Sequence, residues 1–498
     1  MATSEKAADS SASDVATDKK LRRKVIGLAA SGAVGGFLFG FDSSVVNGAV
    51  NAIQQEFGLN AAITGLAVAS ALLGCALGAY VAGRIADRLG RIPVMLIGAV
   101  LFLISAIGSG LAIAAWDLTL WRLIGGLGIG IASVIAPAYI AEIAPKAIRG
   151  SLASLQQLAI TLGIFTALLS DAVLAGLAGE AVNELWLGLE AWRWMFIVGV
   201  VPAVIYGLIA LRLPESPRYL LLKGKTALAR TVLSSITPAA RVDSSIADIQ
   251  SSIDEDSANS SKSSLKGKRF GLLPVVWVGI ILSMLQQLVG INVIFYYSTT
   301  LWSSVGFDES NSLMISVFTA VTNVVVTFVA ILLVDKIGRR PILLFGSIGM
   351  AVSLGTMTLA FSQAQVGDSG PSLVGAWGPI ALIAANLFVI SFGASWGPIV
   401  WVLLGEIFPT RIRARALGVA AAAQWLTNFA VTMTFPIMSQ EVSLTLAYGT
   451  YATFAVLSFF FVYFKIPETK GVALESTGAL KVIRGSRRAR RNAERVDA

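Results

Sequence analysis

The sequence contains two charged motifs that each occur twice, in the same order and between long apolar stretches. The first motif occupies Gly83–Arg91 and recurs, shortened, at Val334–Arg340. The second occupies Glu142–Arg149 and recurs at Glu406–Arg413, with a glutamate and an arginine seven residues apart in both copies. The duplication predicts two related halves. Together with a hydrophobic chain, it is typical of a secondary transporter whose site lies between the halves.

The chain is too apolar for a soluble protein of its length. Of its 498 residues, 55% are hydrophobic and 13% are charged, and neither Ile92–Ala115 nor Gly378–Leu404 contains a charged residue. Apolar runs of about 20 residues cross a bilayer as helices, whereas a β-barrel would alternate apolar and polar residues. About twelve spans are therefore predicted, near residues 25–48, 63–83, 92–114, 117–141, 152–176, 192–213, 272–300, 311–334, 341–361, 378–404, 414–437 and 443–464.

The charges that flank these spans predict an orientation. Basic residues gather in alternate connections and acidic residues in the others, and the net charge is +9. The positive-inside rule then places both termini and the long central loop in the cytoplasm of a cell-membrane protein. An even number of spans likewise places both termini on the same side of the membrane. The basic tail is interpreted as charge flanking the lipid bilayer and not as a nucleic-acid site.

The predicted organisation is all-α, with two six-helix bundles joined by a polar linker. Residues 1–24 form a disordered cytoplasmic segment, and 25–213 form the N-terminal bundle. A cytoplasmic linker with short helices covers 214–270, the C-terminal bundle 271–466, and a cytoplasmic tail 467–498. We expect the chain to act as a monomer.

The chain has one cysteine, Cys75, and no histidine. A disulfide within the chain is therefore impossible, and no cysteine or histidine metal site is available. No nucleophile and base pair is apparent either, so we expect neither an enzyme nor a bound metal or organic cofactor. Any proton chemistry inside the membrane falls to carboxylates.

Further motifs occur in order along the chain. They are Gly36–Asp42, Arg122–Gly126, Pro214–Arg218, Gln286–Asn292 and Pro467–Gly471. With the duplicated loops they resemble the sugar porter family of the major facilitator superfamily over about residues 25–475, and most closely its bacterial proton-coupled hexose, pentose and inositol porters. One departure is Ile92, where the family commonly has a second arginine after Arg91.

The resemblance implies the twelve-helix major facilitator fold and import of a monosaccharide, a hexose such as glucose first, by alternating access. A passive facilitator and an inositol or pentose symporter are the alternatives within the family. A sugar-sensing receptor would need an output domain larger than the tail after Pro467. A drug exporter would need a more apolar central cavity.

An acidic residue lies deep in the first span. Asp42 and Arg122 both lie roughly 10 Å from the outer ends of their spans at helical rise. The family resemblance implies that they pair, since proton-coupled sugar porters have an aspartate here. We therefore expect Asp42 to carry the coupling proton, with Arg122 favouring its charged form and burial its neutral form. A permanent buried ion pair is the alternative.

Neutral sugars need uncharged donors and acceptors and an aromatic face. By resemblance, sugar contact is assigned to Gln157, Gln286, Gln287, Asn292, Asn323, Trp401 and Gln424. Tyr296 is a candidate for the outer gate, and a break near Gly290 would help to align the amides. The alternative role is interhelical packing. Ile164 replaces a second glutamine common in the family, which weakens the case for xylose as the only substrate.

The charges of the duplicated motifs are interpreted as an inner gate, a network of ion pairs that holds the outward-open state. Its members are Asp87, Arg91, Glu142, Arg149, Asp335, Arg339, Glu406 and Arg413. A solvated basic cluster is the alternative. A single exposed ion pair is worth about 0–1 kcal/mol, so only a coupled network could bias the two halves.

Overall fold

The computed structural model describes residues 19–144, 149–260, 265, 267, 271–367, 370–408 and 412–469. The side chains of Arg149 and Asp335 lie outside what is described. The predicted disordered segment up to residue 18 and the tail from residue 470 also lie outside the described residues.

The described chain is almost entirely helical, with two small hairpins. The helices are α1 Lys19–Glu56, α2 Ala61–Leu89, α3 Arg91–Gly110, α4 Ala115–Ile143, α5 Arg149–Ala178, α6 Ala191–Ile197, α7 Val200–Arg212, α8 Pro217–Leu222, α9 Thr226–Ile236, α10 Val242–Ser260, α11 Pro274–Leu288, α12 Ile291–Tyr296, α13 Ser298–Ser303, α14 Glu309–Ile337, α15 Arg339–Ser362, α16 Trp377–Gly393, α17 Trp396–Ile407, α18 Arg413–Ile437 and α19 Leu444–Lys465. The strands are β1 Glu184–Trp186, β2 Leu189–Glu190, β3 Gln365–Gly367 and β4 Gly370–Ser372, paired antiparallel as β1–β2 and β3–β4.

Twelve of the described segments are long and apolar enough to cross a membrane. Three of them combine consecutive helices: α6 with α7, α11 with α12, and α16 with α17. The prediction of about twelve membrane spans is confirmed. Which side of the membrane the termini face stays a prediction.

The seventh span is broken at Gly290. Its φ of +79° lies in the left-handed region, which favours glycine, and a Cβ there would lie 2.6 Å from Cδ2 of Tyr451. The chain therefore leaves α11 and restarts as α12 at Ile291. The structure thus contains the break that the amide pattern suggested.

Helices of the first half pack closely through small residues. A Cβ added to Gly126 would lie 2.0 Å from the carbonyl oxygen of Ala71, and one added to Gly130 would lie 2.2 Å from that of Cys75. Glycine is therefore required for α4 to approach α2 at this distance. The buried Cys75 packs in the same interface.

Within the described residues, the two predicted halves meet along four main helix pairings. α2 packs against α18, α5 packs against α14, and α1 packs against both α12 and α13. The linker helices α8 to α10 surround a separate small apolar cluster that includes Leu220, Ala229 and Ile253. The site described next therefore lies where α1, α2 and α4 face the broken seventh span.

The duplicated arginines define one end of the bundle. Arg91 begins α3 and Arg339 begins α15. We call this the basic end, and the other the opposite end. α1 finishes at the opposite end, because α2 starts there and returns to the basic end.

Candidate functional site

Asp42 and Arg122 form a buried ion pair between α1 and α4. Arg122 Nη1 donates to Asp42 Oδ1 at 2.8 Å and to the Asp42 carbonyl oxygen at 3.2 Å. The residues are 5% and 2% exposed, and Arg122 also lies over the Phe196 ring, 5.6 Å from its centroid. In the part of the chain that the structure describes, Asp42 Oδ2 and Arg122 Nε are buried without a hydrogen-bond partner. The structure brings the two side chains together, and their role in proton transfer stays a prediction.

A small cavity adjoins this pair and reaches the second half of the protein. It is lined by Phe39, Asp42, Ser43, Val68, Ala71, Leu72, Cys75, Arg122, Ile129 and Tyr296. Tyr296, at the end of α12, is the member from the second half and also lies against Asn428 of α18. The carboxyl group of Asp42 therefore faces the boundary between the halves.

Gln286 connects α11 to the start of α17. Its Nε2 donates to the carbonyl oxygens of Trp396 at 2.8 Å and Gly397 at 3.3 Å. Its Oε1 is buried and has no hydrogen-bond partner within the described ranges. One half of this amide is thus occupied by the protein and the other half is available to a ligand.

Gln287 and Asn292 meet across the break at Gly290. Asn292 Nδ2 donates to Gln287 Oε1 at 2.6 Å. Residues five apart on a continuous helix would point about 140° away from each other. The break therefore brings together two amides that the spacing alone would separate.

The other predicted sugar residues are more dispersed. Asn323 is buried on α14 beside Gly393, Gln424 Oε1 is buried without a hydrogen-bond partner, Gln157 is half-buried and Trp401 is 41% exposed. Within the described residues, none of these four side chains hydrogen-bonds to another predicted sugar residue. Their common assignment to a sugar site stays a prediction.

At the basic end, Arg91 makes a bidentate ion pair with Glu142. Nε donates to Oε2 at 3.0 Å and Nη2 to Oε1 at 2.7 Å. Asp87 lies 3.6 Å from Arg91 but is largely exposed. Glu215, just after the sixth span, accepts the backbone N–H groups of Arg91 and Ile92 at 2.9 and 3.2 Å. This carboxylate caps the N-terminus of α3, where helix dipoles favour negative charge.

The second half repeats this arrangement. Arg339 Nη2 donates to Glu406 Oε1 at 3.1 Å, and Thr469 Oγ1 donates to Glu406 Oε2 at 2.5 Å. Glu468 accepts the backbone N–H groups of Arg339 and Arg340 at 3.1 and 3.0 Å. The two glutamates that cap α3 and α15 are thus a third duplicated feature. The repeated Pro-Glu-Ser and Pro-Glu-Thr sequences are the signal that could have assigned this capping role.

The ion pairs described at the basic end each lie within one half. Arg91 with Glu142 joins α3 to α4, and Arg339 with Glu406 joins α15 to α17. Arg413 Nε donates to the carbonyl oxygen of Phe408, also in its own half. The predicted inner gate across the halves stays a prediction, while the described geometry stabilises each half at its loop.

Direct hydrogen bonds between the halves occur toward the opposite end and were missed from the sequence. Asn47 Oδ1 accepts from the Thr299 N–H at 3.0 Å, and Asn47 Nδ2 donates to Ser316 Oγ at 3.2 Å. One turn later, Thr300 Oγ1 donates to Asn51 Oδ1 at 2.7 Å. These uncharged bonds hold α1 against α13 and α14. Their partners are about 250 residues apart in the sequence, so no local pattern reveals them.

Comparison with known proteins decides the family. The model of the family described as "Sugar (and other) transporter" matches residues 28–480. The chain belongs to the sugar porter family of the major facilitator superfamily. The glucose transport protein of Synechocystis sp. is 54% identical to it over 444 residues, covering 89% of this chain and 94% of that protein. The D-xylose-proton symporter of Escherichia coli is 35% identical over 480 residues, covering 90% and 94%.

Solved structures of sugar porters have the same fold. The inward-open xylose transporter XylE of Escherichia coli matches with a TM-score of 0.77 at 33% identity, covering 92% of this chain and 99% of that chain. XylE bound to 6-bromo-6-deoxy-D-glucose matches with a TM-score of 0.75 at 34% identity, covering 92% and 98%. The predicted family and the major facilitator fold are confirmed. The family consists of transport proteins, so transport and not catalysis is the activity to test.

Proposed function

We propose that this sugar porter imports a monosaccharide, a hexose such as glucose first, together with a proton by alternating access. The observation that carries the proton coupling is the buried Asp42–Arg122 pair beside a cavity shared with Tyr296. Charged groups inside a membrane are costly, so they are kept where they serve transport.

The pair offers a group that can change protonation between states. Burial favours the neutral carboxyl of Asp42, and the guanidinium of Arg122 favours the carboxylate. Because these effects oppose each other, a modest change in hydration or in the distance between the groups can move a proton. Protonation from outside would weaken the pair and allow α1 to shift relative to α4.

The amides of the second half supply the sugar contacts in this proposal. The Gln286 Oε1 and Gln424 Oε1 atoms are buried and have no hydrogen-bond partner among the residues that the structure describes. The Gln287–Asn292 pair lies next to the break at Gly290. A neutral polyol can satisfy such groups without changing their charge. The name of the Synechocystis relative and the hexose analogue bound to XylE support a hexose.

The hydrogen bonds that Asn47 and Asn51 make between the halves lie toward the opposite end, and the positive-inside rule assigns that end to the outside. In this proposal, the arrangement represents the state that is closed toward the outside. Opening requires the uncharged bonds of Asn47 and Asn51 to break. Both termini, the linker helices and the capped arginines would lie in the cytoplasm.

Purified protein in liposomes tests the proposal. Counterflow of labelled sugar, measured with a panel of hexoses, pentoses and inositols, identifies the substrate. Uphill uptake driven by an inward proton gradient then measures coupling. Counterflow without uphill uptake would establish a passive facilitator, and failure of every sugar in counterflow would overturn the proposal.

A further inference from the structure

A second carboxyl group is buried inside the first half, away from the Asp42–Arg122 pair. Asp171 of α5 is 0% exposed. Its Oδ2 accepts the backbone N–H of Gly48 in α1 at 3.3 Å, and its Oδ1 is buried without a hydrogen-bond partner among the described residues. A Cβ added to Gly48 would lie 2.6 Å from Cβ of Asp171, so the two helices touch at this point.

No cation neutralises this group in the part of the chain that the structure describes. α5 packs against α1, α4, α6, α14 and β1. On α4, Arg122 pairs with Asp42 of α1; on α6, Arg193 pairs with Glu56 of α1 and with Glu190.

The remaining acidic groups on those elements also have other environments. Asp117 of α4 accepts the N–H of Ile113, Glu142 pairs with Arg91, and Glu309 of α14 accepts the N–H of Ala181. Glu184 of β1 is exposed. Arg22, Arg23 and Lys24 lie at the far end of α1, about seven helical turns from Gly48.

An ionised carboxylate with this burial and one weak hydrogen bond would lack the compensation that buried charges need. A protonated carboxyl needs much less compensation for its burial, because it is neutral and keeps an oxygen that accepts the Gly48 N–H. The chemistry of the site thus favours a bound proton at Asp171.

The position of Gly48 connects this proton to the moving parts of the protein. Gly48 directly follows Asn47, whose side chain bonds to Thr299 and Ser316 of the second half. It lies six residues after Asp42 on the same helix. A charge at Asp171 would therefore disturb α1 between the coupling carboxyl and the contacts that close the opposite end.

We propose that Asp171 is a second proton-binding site. It holds a proton while α1 is packed against α5, and ionisation of Asp171 destabilises this packing. The transport consequence rests on the proposed function, but the bound proton itself does not. Asp171 acts here as a positioning residue through Gly48 and not as a sugar contact.

Infrared spectroscopy of the protein in lipid tests the bound proton without any transport assay. The Asp42→Asn variant removes the other carboxyl that is buried among the described residues. At pH 7 we expect it to show the C=O stretch of a protonated carboxyl that shifts in heavy water. The band should be absent from the double variant Asp42→Asn with Asp171→Asn. No band in Asp42→Asn, or an unchanged band in the double variant, would overturn the proposal.

If the double variant cannot be purified, Asp171→Asn alone replaces it. Its spectrum should lose a protonated-carboxyl band that wild type shows and that Glu184→Gln, an exposed control on β1, keeps. Retention of the full wild-type band would contradict the assignment. Asparagine resembles the neutral carboxyl in shape, so we expect this variant to fold.

Counterflow tests the consequence for transport, since it needs no net proton movement. In the Asp42→Asn background we expect counterflow to fall as the pH on both sides is raised, by up to about tenfold per pH unit beyond the midpoint. The double variant should show a flat profile. An equally steep profile in the double variant would remove Asp171 from the cycle, even if the infrared result had shown its proton.

Discussion

The two halves bury different kinds of polar group. All four buried charged residues in the described part of the chain, Asp42, Arg91, Arg122 and Asp171, belong to the first half. Among the described residues, the buried amides are concentrated in the second half and are Gln286, Gln287, Asn323, Asn386 and Asn428, with Asn47 alone in the first. We therefore expect the first half to bind protons and the second to hydrogen-bond a neutral polyol.

At the basic end the same halves remain alike. Arg91 pairs with Glu142 while Glu215 caps α3, and Arg339 pairs with Glu406 while Glu468 caps α15. We infer that the loops at the basic end stabilise both halves in the same way, although the buried polar groups at the centre differ. The membrane interior has diverged into a charged half and an uncharged half. Substitutions in the centre and at the basic end test this difference between the halves.

The largest expected effect is at the charged centre of the first half. For one proton per sugar, a pH difference of one unit supports about tenfold accumulation. We expect Asp42→Asn to reduce accumulation to about one, because asparagine cannot release a proton, while counterflow persists. Uptake of labelled sugar into liposomes measures both, with Glu184→Gln as control. Uphill uptake by Asp42→Asn would show that the proton is carried elsewhere.

The amide centre of the second half should affect affinity and not coupling. Gln287→Ala removes the partner of Asn292 and one candidate sugar contact. A neutral hydrogen bond is worth about 0.5–1.5 kcal/mol, so KM should rise about 2- to 10-fold. The accumulation ratio at saturating sugar should stay at the wild-type value. Gln363→Ala, at an exposed amide after α15, is the control. Loss of coupling with unchanged KM would contradict the division between the halves.

Substitutions at the basic end should lower the stability in both halves, but by different amounts. Glu142 accepts two charge-assisted bonds from Arg91, whereas Glu406 accepts one from Arg339 and one from the Thr469 hydroxyl. We expect Glu142→Gln to cost about 1.5–3 kcal/mol of stability and Glu406→Gln about 1 kcal/mol. Thermal unfolding in detergent measures which of the two variants loses more stability. A larger loss for Glu406→Gln would show that the two loops are not mechanically equivalent.

The smallest effects are expected where the halves touch. Asn47→Ala removes the buried bonds to Thr299 and Ser316, while Gln54→Ala removes only an exposed amide contact with Gln440 at 3.2 Å. Asn47→Ala should increase the outward-open fraction by a few fold, because about 1 kcal/mol of closing contact is lost. Gln54→Ala should stay within about 0.5 kcal/mol of wild type. Labelling of an introduced cysteine between α1 and α13 reports this fraction, since the native Cys75 is buried. Equal labelling of both variants would contradict the closing role of Asn47.

The sequence was sufficient for the spans, since apolar runs of helical length and alternating charged connections are local signals. The contact of Asp42 with Arg122 could be expected only from the family resemblance, because residues 80 apart share no local pattern. Asp171 was overlooked although it stands within the predicted span 152–176, where an acidic residue is itself a signal.

Other features depend on the folded geometry. The Gln286 side chain faces the carbonyl of Trp396, and Asn47 meets Thr299 across the two halves. Both contacts follow from how whole helices pack, and no spacing rule predicts which face of α11 or α1 is used. The amide pattern indicates the break at Gly290, but it does not indicate that Tyr451, more than 150 residues later, excludes a side chain there.

The absence of histidine from the whole sequence has a practical consequence. Histidine is the side chain that normally changes charge between pH 5 and 8. Exposed carboxylates, lysines and arginines keep their charge through the neutral range, and the single thiol is buried. Apart from the terminal amine, the groups of this protein that change protonation near neutral pH are therefore its buried acids. A pH titration in this range measures these acids with almost no contribution from other groups. The protein itself then reports the protonation of its buried acids.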